Sequence, residues 1–235
     1  MQDIIVECCA NSVSSALIGI KAGANRIELC KNLRNGGETP DRKDIIKLRK
    51  LTDKKIHVLV LPKANSFIHS AKEIEKIIDD INFCKKNKID GVVIGPLKNK
   101  YSVSEDLTKK LMKVARPMKV TFHRSFDSLS EIEKNIDKII SSKCDYLLTS
   151  GQKSNVNLGL KNIEKIIKLI NNNIKIIAGG GVNLNNIEKL YKIGVRQFHL
   201  SGTTKKENEK LETNFKIIKQ VVEKLIELKK QDPLR

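Results

Sequence analysis

A single closed (β/α)8 TIM-type barrel is the fold this sequence predicts, on three observations. Eight short apolar runs alternate with amphipathic segments from end to end. No Pro-, Gly- or Ser-rich linker interrupts them, so one domain spanning 1–235 is expected. The length of 235 residues suits one barrel. A doubly wound open sheet is the competing arrangement of such an alternation.

Strands are expected at 3–8, 25–30, 56–61, 90–94, 118–123, 145–149, 174–178 and 196–200. Each is short and aliphatic or β-branched, as parallel strands buried on both faces must be. Between them lie helical stripes. Ser12 is placed to cap a helix carrying Val13, Ala16, Leu17 and Ile20 on one face. Ile74, Ile77, Ile78 and Ile81 repeat that spacing, as do Ile163, Ile166, Ile167 and Ile170. Ile218, Val221, Val222 and Leu225 give a last helix. Shorter or less regular helices are expected at 41–51, 104–115, 129–141 and 183–193. A faint repeat links 21–29 (KAGANRIEL) to 192–200 (KIGVRQFHL). Each has a helix end, a Gly suited to the left-handed stop, and a strand in which Glu28 and His199 hold equivalent places.

Composition narrows the function. Hydrophobic residues make up 40% of the chain, enough for a sizeable core, but aromatics are 4% with no Trp, so Ile, Leu and Val must fill it. The net charge of +18 raises the question of a nucleic-acid partner. The Lys and Arg residues, however, are spread along every helix and interleaved with Asp and Glu, and aromatics to stack on bases are scarce. Solvated helix faces are the better reading, and no specific nucleic acid is expected. The five cysteines follow no secretory signal, and no apolar run approaches the ~18 residues of a membrane span. A cytoplasmic protein with reduced thiols and no membrane partner is the expectation.

In a barrel of this kind the chemistry sits at the C-terminal mouth. Polar residues near strand ends therefore stand out: Glu7 on strand one, Arg26 and Glu28 on strand two, Thr121 and His123 on strand five, Gln197 and His199 on strand eight. Glu7, Glu28, His123 and His199 are the candidate catalytic set, since two carboxylates and two imidazoles can move protons near neutral pH. A structural role inside the barrel is the alternative for any one of them.

The turns after strands seven and eight read Gly179-Gly180-Gly181-Val182-Asn183 and Ser201-Gly202-Thr203-Thr204. Glycines expose backbone N–H groups, and barrels often hold phosphate at these two turns. A phosphorylated or carboxylated metabolite is the resulting ligand class, with Arg26 and Arg124 as further anion contacts. Asp127 is expected to orient Arg124 or to cap the next helix. The small polar turn Thr149-Ser150-Gly151-Gln152 is a weaker candidate for ligand contacts. No organic cofactor is indicated.

Cys8 and Cys9 close strand one and Cys30 closes strand two, which brings thiols together at the mouth. Paired soft thiolates suit Cu(I), while Zn(II) would want further donors such as His199 or Glu28. Small buried hydrophobes are the other reading, preferred for Cys84 and Cys144. Alternation leaves one choice open: Glu7 and Cys9 inward, or Cys8 inward.

Val6-Glu7-Cys8-Cys9, Gly23 to Cys30, Gly36-Gly37-Glu38-Thr39-Pro40 and above all Val120-Thr121-Phe122-His123-Arg124-Ser125-Phe126-Asp127 resemble the copper homeostasis protein CutC family. Leu148 to Gln152 and Gly179 to Val182 fit in order and spacing, so the resemblance runs from strand one to strand eight. It implies a cytoplasmic TIM-type barrel that is usually a homo-oligomer, tied to copper handling and binding Cu(I). Cys8 and Cys30 match the family's cysteines, with Cys9 as a helper. Leu61-Pro62-Lys63-Ala64-Asn65-Ser66-Phe67 departs from the family's Arg-Pro-Arg-Gly-Gly-Asp-Phe, and one Lys does not replace a bidentate Arg clamp. The segment after Ser201-Gly202 is shorter than usual, which implies a more open mouth.

Overall fold

The computed structural model describes residues 3–205 and 211–232. Its eight barrel strands are β1 (Ile5–Ala10), β2 (Arg26–Leu29), β3 (Lys55–Leu59), β4 (Gly91–Ile94), β5 (Lys119–Phe122), β6 (Tyr146–Thr149), β7 (Lys175–Gly179) and β8 (Gln197–Leu200). All pair in parallel, and β1 bonds to both β2 and β8, so the sheet closes on itself rather than opening. The helices are α1 (Val13–Lys21), α2 (Arg42–Leu51), α3 (Ala71–Lys86), α4 (Glu105–Ala115), α5 (Ile132–Ser141), α6 (Val156–Ile170), α7 (Ile187–Lys192) and α8 (Phe215–Gln231). Among the described residues no helix is long and apolar enough to cross a membrane.

Local chemistry fixes the element ends. Ser12 Oγ accepts from the Ser15 N–H at 3.1 Å and starts α1. Ser70 and Glu73 form a reciprocal capping box that starts α3. Gly23 and Gly194 both sit at φ 101°, so the two repeat-like segments share the same left-handed stop before β2 and β8. The apolar stripes of the helices meet the outward faces of the strands. Ile27, Ile56, Ile77, Ile163, Ile166 and Ile218 are fully buried there, together with Phe122, Phe126 and Phe198. Each such side chain stabilises the fold by about 1.5–3 kcal/mol.

Three differences from the expected elements matter for the site. β1 runs on to Ala10 instead of ending at Cys8, which carries Cys9 into the strand. α7 is shorter than expected, because Asn183 forms a turn in which its Oδ1 accepts from Asn185 N–H at 2.9 Å before the helix begins. Two antiparallel ribbons decorate the mouth, Leu97–Asn99 with Ser102–Val103 and Thr203–Lys205 with Leu211–Thr213. The second follows Ser201-Gly202, and residues 206–210 of that segment lie outside the described residues.

Candidate functional site

Alternation along the longer β1 decides which way its side chains face. Glu7 and Cys9 point into the barrel; Cys8 points out to α1. A Cβ on Gly19 of α1 would lie 2.6 Å from Cys8 Sγ, so that helix is small where the thiol packs. Cys8 Sγ also lies 3.8 Å from Thr213 Oγ1. Cys8 therefore faces away from the mouth, where Cys30, the partner expected for it, lines the cavity. Cys9 takes that place, with Sγ 4.0 Å from Cys30 Sγ and 3.9 Å from Glu28 Oε1. Burial pushes the Cys8 thiol up to about 12. The hydrogen bond to Cys30, and then burial, put Cys9 well above its ordinary value.

Below the mouth lies a polar layer. Glu7, wholly buried, accepts from Arg26 Nε through Oε2 and meets His199 Nδ1 at 2.8 Å through Oε1. Arg26 Nη2 donates to Gln197 Oε1 at 2.9 Å, and its guanidinium lies 4.8 Å from the centre of the Tyr146 ring. Burial alone would raise the Glu7 carboxyl, but Arg26, then His199 and His57, hold it well below the usual carboxylate range. Arg26 is only 3% exposed, so it clamps Glu7 rather than reaching a ligand. His57, not singled out from the sequence, completes the layer with Nδ1 3.8 Å from Glu7 Oε2. Burial and Arg26 bring it down to about 3. Its signal was slight: one polar residue inside the apolar run of strand three.

The mouth opens as a cavity of about 1060 Å³ whose lining includes Cys9, Glu28, Cys30, His123, Arg124 and His199. Glu28 is 4% exposed, and among the described residues its Oε2 has no hydrogen-bond partner. Burial, opposed by His199 and reinforced by Glu7, raises its carboxyl to about 7. His199 Nδ1 lies 3.9 Å from Glu28 Oε2. Burial works against its charge, yet Glu28 and Glu7 raise it above its ordinary value. Glu7 and Glu28 thus differ in kind: one is a fixed anion, the other a group poised between its forms. Cys9, Glu28 and His199 offer ligand atoms within 4.8 Å of one another.

Across the cavity, His123 Nδ1 accepts from Ser125 N–H at 3.1 Å, while its buried Nε2 has no partner. Burial, helped by His69, lowers it to about 3, so the ring is neutral. Arg124 is set by its neighbours. Its Nε donates to Asp127 Oδ2 at 2.8 Å and its Nη2 to Ser150 Oγ at 2.9 Å. Gly180, at φ 98°, lets the guanidinium come close: a Cβ there would lie 2.8 Å from Arg124 Cζ.

Asp127 orients Arg124, as one of the two expected roles has it. The turn after β6 serves the same carboxylate, and its Gln152 also lines the cavity. Thr149 Oγ1, Ser150 N, Ser150 Oγ and Gln152 N all donate to Asp127 at 2.5–3.0 Å. Of the two glycine turns, Gly180, Gly181 and Ser201 line the cavity. Gly179 instead packs in the barrel wall, where a Cβ would meet Leu148 at 2.6 Å. The Gly202 carbonyl accepts from Asn214 N–H at 2.9 Å, which seats α8. In the altered loop after β3, Asn65 and Phe67 line the cavity while Lys63 is exposed outside its lining. Thr121 is buried inside the barrel with an unpartnered Oγ1.

A closed parallel barrel with thiols, carboxylates and imidazoles gathered at its C-terminal mouth defines the class: a TIM-type barrel with a polar site at the mouth. The CutC family model matches residues 4–204. CutC family proteins of Bacteroides fragilis and Parabacteroides distasonis are 35% and 36% identical over 204 and 200 residues, covering 86% and 84% of this chain and 81% and 82% of theirs. The chain belongs to the CutC family. The crystal structure of a Streptococcus agalactiae protein, provisionally described as the copper homeostasis protein CutC, superposes with a TM-score of 0.79 at 26% identity, over 84% of this chain and 98% of that one. Thiamine phosphate pyrophosphorylase of Pyrococcus furiosus, at 15% identity, 96% coverage of both chains and a TM-score of 0.64, shares the fold alone.

Proposed function

We propose that this CutC family protein serves copper homeostasis in the cytoplasm by taking Cu(I) as cargo between Cys9 and Cys30. The observation that carries this is the 4.0 Å approach of the two sulfurs at the wall of the mouth cavity. The donor set fits the ion. Cu(I) is soft, prefers sulfur and accepts low coordination, and two buried thiols on adjacent strands are held without a long flexible segment. Glu28 and His199 stand beside the pair as polar neighbours. Copper uptake would displace the thiol protons. The resemblance to a family of oligomers extends the proposal to a homo-oligomer, which light scattering on the purified chain would read directly. Crystals grown with Cu(I) under reductant test the metal site. Anomalous signal between Cys9 and Cys30 is the expected result; signal elsewhere, or none, removes it.

A second reading is favoured by two buried atoms that lack a hydrogen-bond partner among the described residues, Glu28 Oε2 and His123 Nε2, both on residues that line one cavity. Buried polar atoms are costly unless something pairs with them, and a ligand is one such partner. In this reading the barrel is an enzyme acting on a small phosphorylated or carboxylated metabolite. Glu28 and His199 do acid–base work, Arg124 with the Gly180-Gly181 and Ser201 turns faces the anion, and Glu7 holds His199 in position. A thermal-shift screen of such metabolites should find at least one that stabilises the wild type and not Arg124→Met. A screen with no stabilising compound rules this reading out.

A further inference from the structure

His123 was expected among the proton-moving groups, and its surroundings assign it another task. The Ser125 N–H occupies Nδ1 at 3.1 Å, which fixes the tautomer: the ring proton is on Nε2. That N–H is buried without an acceptor among the described residues, and the whole residue is 6% exposed. Gly95 makes room for the ring, since a Cβ there would lie 2.2 Å from Nδ1. Phe67 and Phe122 flank the ring at 5.2 and 6.2 Å between centres, and His69 is the titratable neighbour that adds to its neutrality. Arg124 follows in sequence on the same cavity wall, held by Asp127 and Ser150.

We propose that His123 and Arg124 form an oxyanion subsite, in which the neutral imidazole donates Nε2–H to a carbonyl or carboxylate oxygen and Arg124 faces an adjacent anionic group. The ligand class is a small carbonyl compound carrying a carboxylate or a phosphate. This rests on the second reading above, that the mouth takes a small anion, and gives that reading its chemistry. A neutral imidazole is suited to the task. It cannot be lost as a donor by titration across the neutral range, and it polarises an oxygen without giving up a proton to it. No covalent step is assigned to His123.

The test is NMR of histidine-labelled full-length protein, with pyruvate and inorganic phosphate as separate probes. His123 should show the Nε2–H tautomer, stay untitrated from pH 8 down to 5, and shift on adding pyruvate. Phosphate should bind and depend on Arg124. A His123 ring that titrates near its ordinary 6.5 overturns the proposal. So does pyruvate binding that leaves the His123 signals unmoved, though in that case the anion reading itself survives. If neither probe binds, that reading falls with the subsite. As a second measure, His123→Ala should weaken pyruvate binding by roughly tenfold or more, the size of one hydrogen bond to a charged acceptor. His123→Gln, which keeps a side-chain N–H donor, should recover much of it. Equal losses in both variants would show that the ring is needed only for packing.

Discussion

Glu7 is the residue on which the polar interior of the barrel depends. Its carboxylate accepts from Arg26 and His199 with no exposure to solvent, so removing either partner leaves a charge stranded in the barrel. Arg26→Met or Glu7→Gln should cost about 3–5 kcal/mol in urea unfolding, the usual result of breaking a buried pair from one side. A loss below about 1 kcal/mol would place the pair in the same range as an exposed one. His57, facing Glu7 and Arg26, adds a pH dependence with a definite sign. Its folded value, about 3, is below its ordinary 6.5. Between those values the unfolded chain binds a proton that the folded chain refuses, so stability falls as pH drops through the window. His57→Gln should flatten the fall between pH 6.5 and 4; an unchanged slope would contradict the assignment. At this scale the sequence was informative where a polar residue interrupts an apolar strand, as Glu7, Glu28 and His199 do. It was silent on Cys8 against Cys9, because that choice turns on where β1 stops. Two extra residues of strand, to Ala10, exchange the roles of the two thiols.

The β7 turn shows how an element can carry a site with little chemistry of its own. Gly180 combines a left-handed φ of 98° with a guanidinium where its Cβ would be. Gly180→Ala should therefore displace Arg124 and cost about 1–2 kcal/mol of stability from the backbone alone. Phosphate affinity, read by calorimetry, should fall with it. Retained affinity would mean that Arg124 does not hold the anion. The glycines of this turn stand out in the sequence, but their tie to Arg124, from β5 to β7, was not legible, since nothing in either segment names the other. Helix stripes were legible for the same reason that they fold, the repeat of Ile, Leu and Val at helical spacing. The two ribbons were not. Each strand is two or three residues long, and the tight turn at 99–101 rests on Asn99 Oδ1 accepting from Tyr101 N–H, without an Asn-Gly signal.

At the level of the whole molecule, eight alternating strands and helices pointed to the barrel, and the pairing of β1 with both β2 and β8 decides it against an open sheet. The charge of +18 is carried on helix faces laced with pairs such as Lys168–Glu164 at 2.9 Å and Lys192–Glu188 at 2.8 Å. Duplex DNA should therefore show no salt-resistant complex in fluorescence anisotropy at physiological ionic strength; tight binding there would reverse the reading of the charge. The proposed cargo site is the thiol pair of Cys9 and Cys30 at the mouth. Its most direct test is a Cu(I) competition titration against a chromogenic chelator, comparing wild type with Cys8→Ser, Cys9→Ser and Cys30→Ser. Wild-type affinity is expected for Cys8→Ser, with loss of the site in both other variants. Loss in Cys8→Ser with retention in Cys9→Ser would contradict the proposed site.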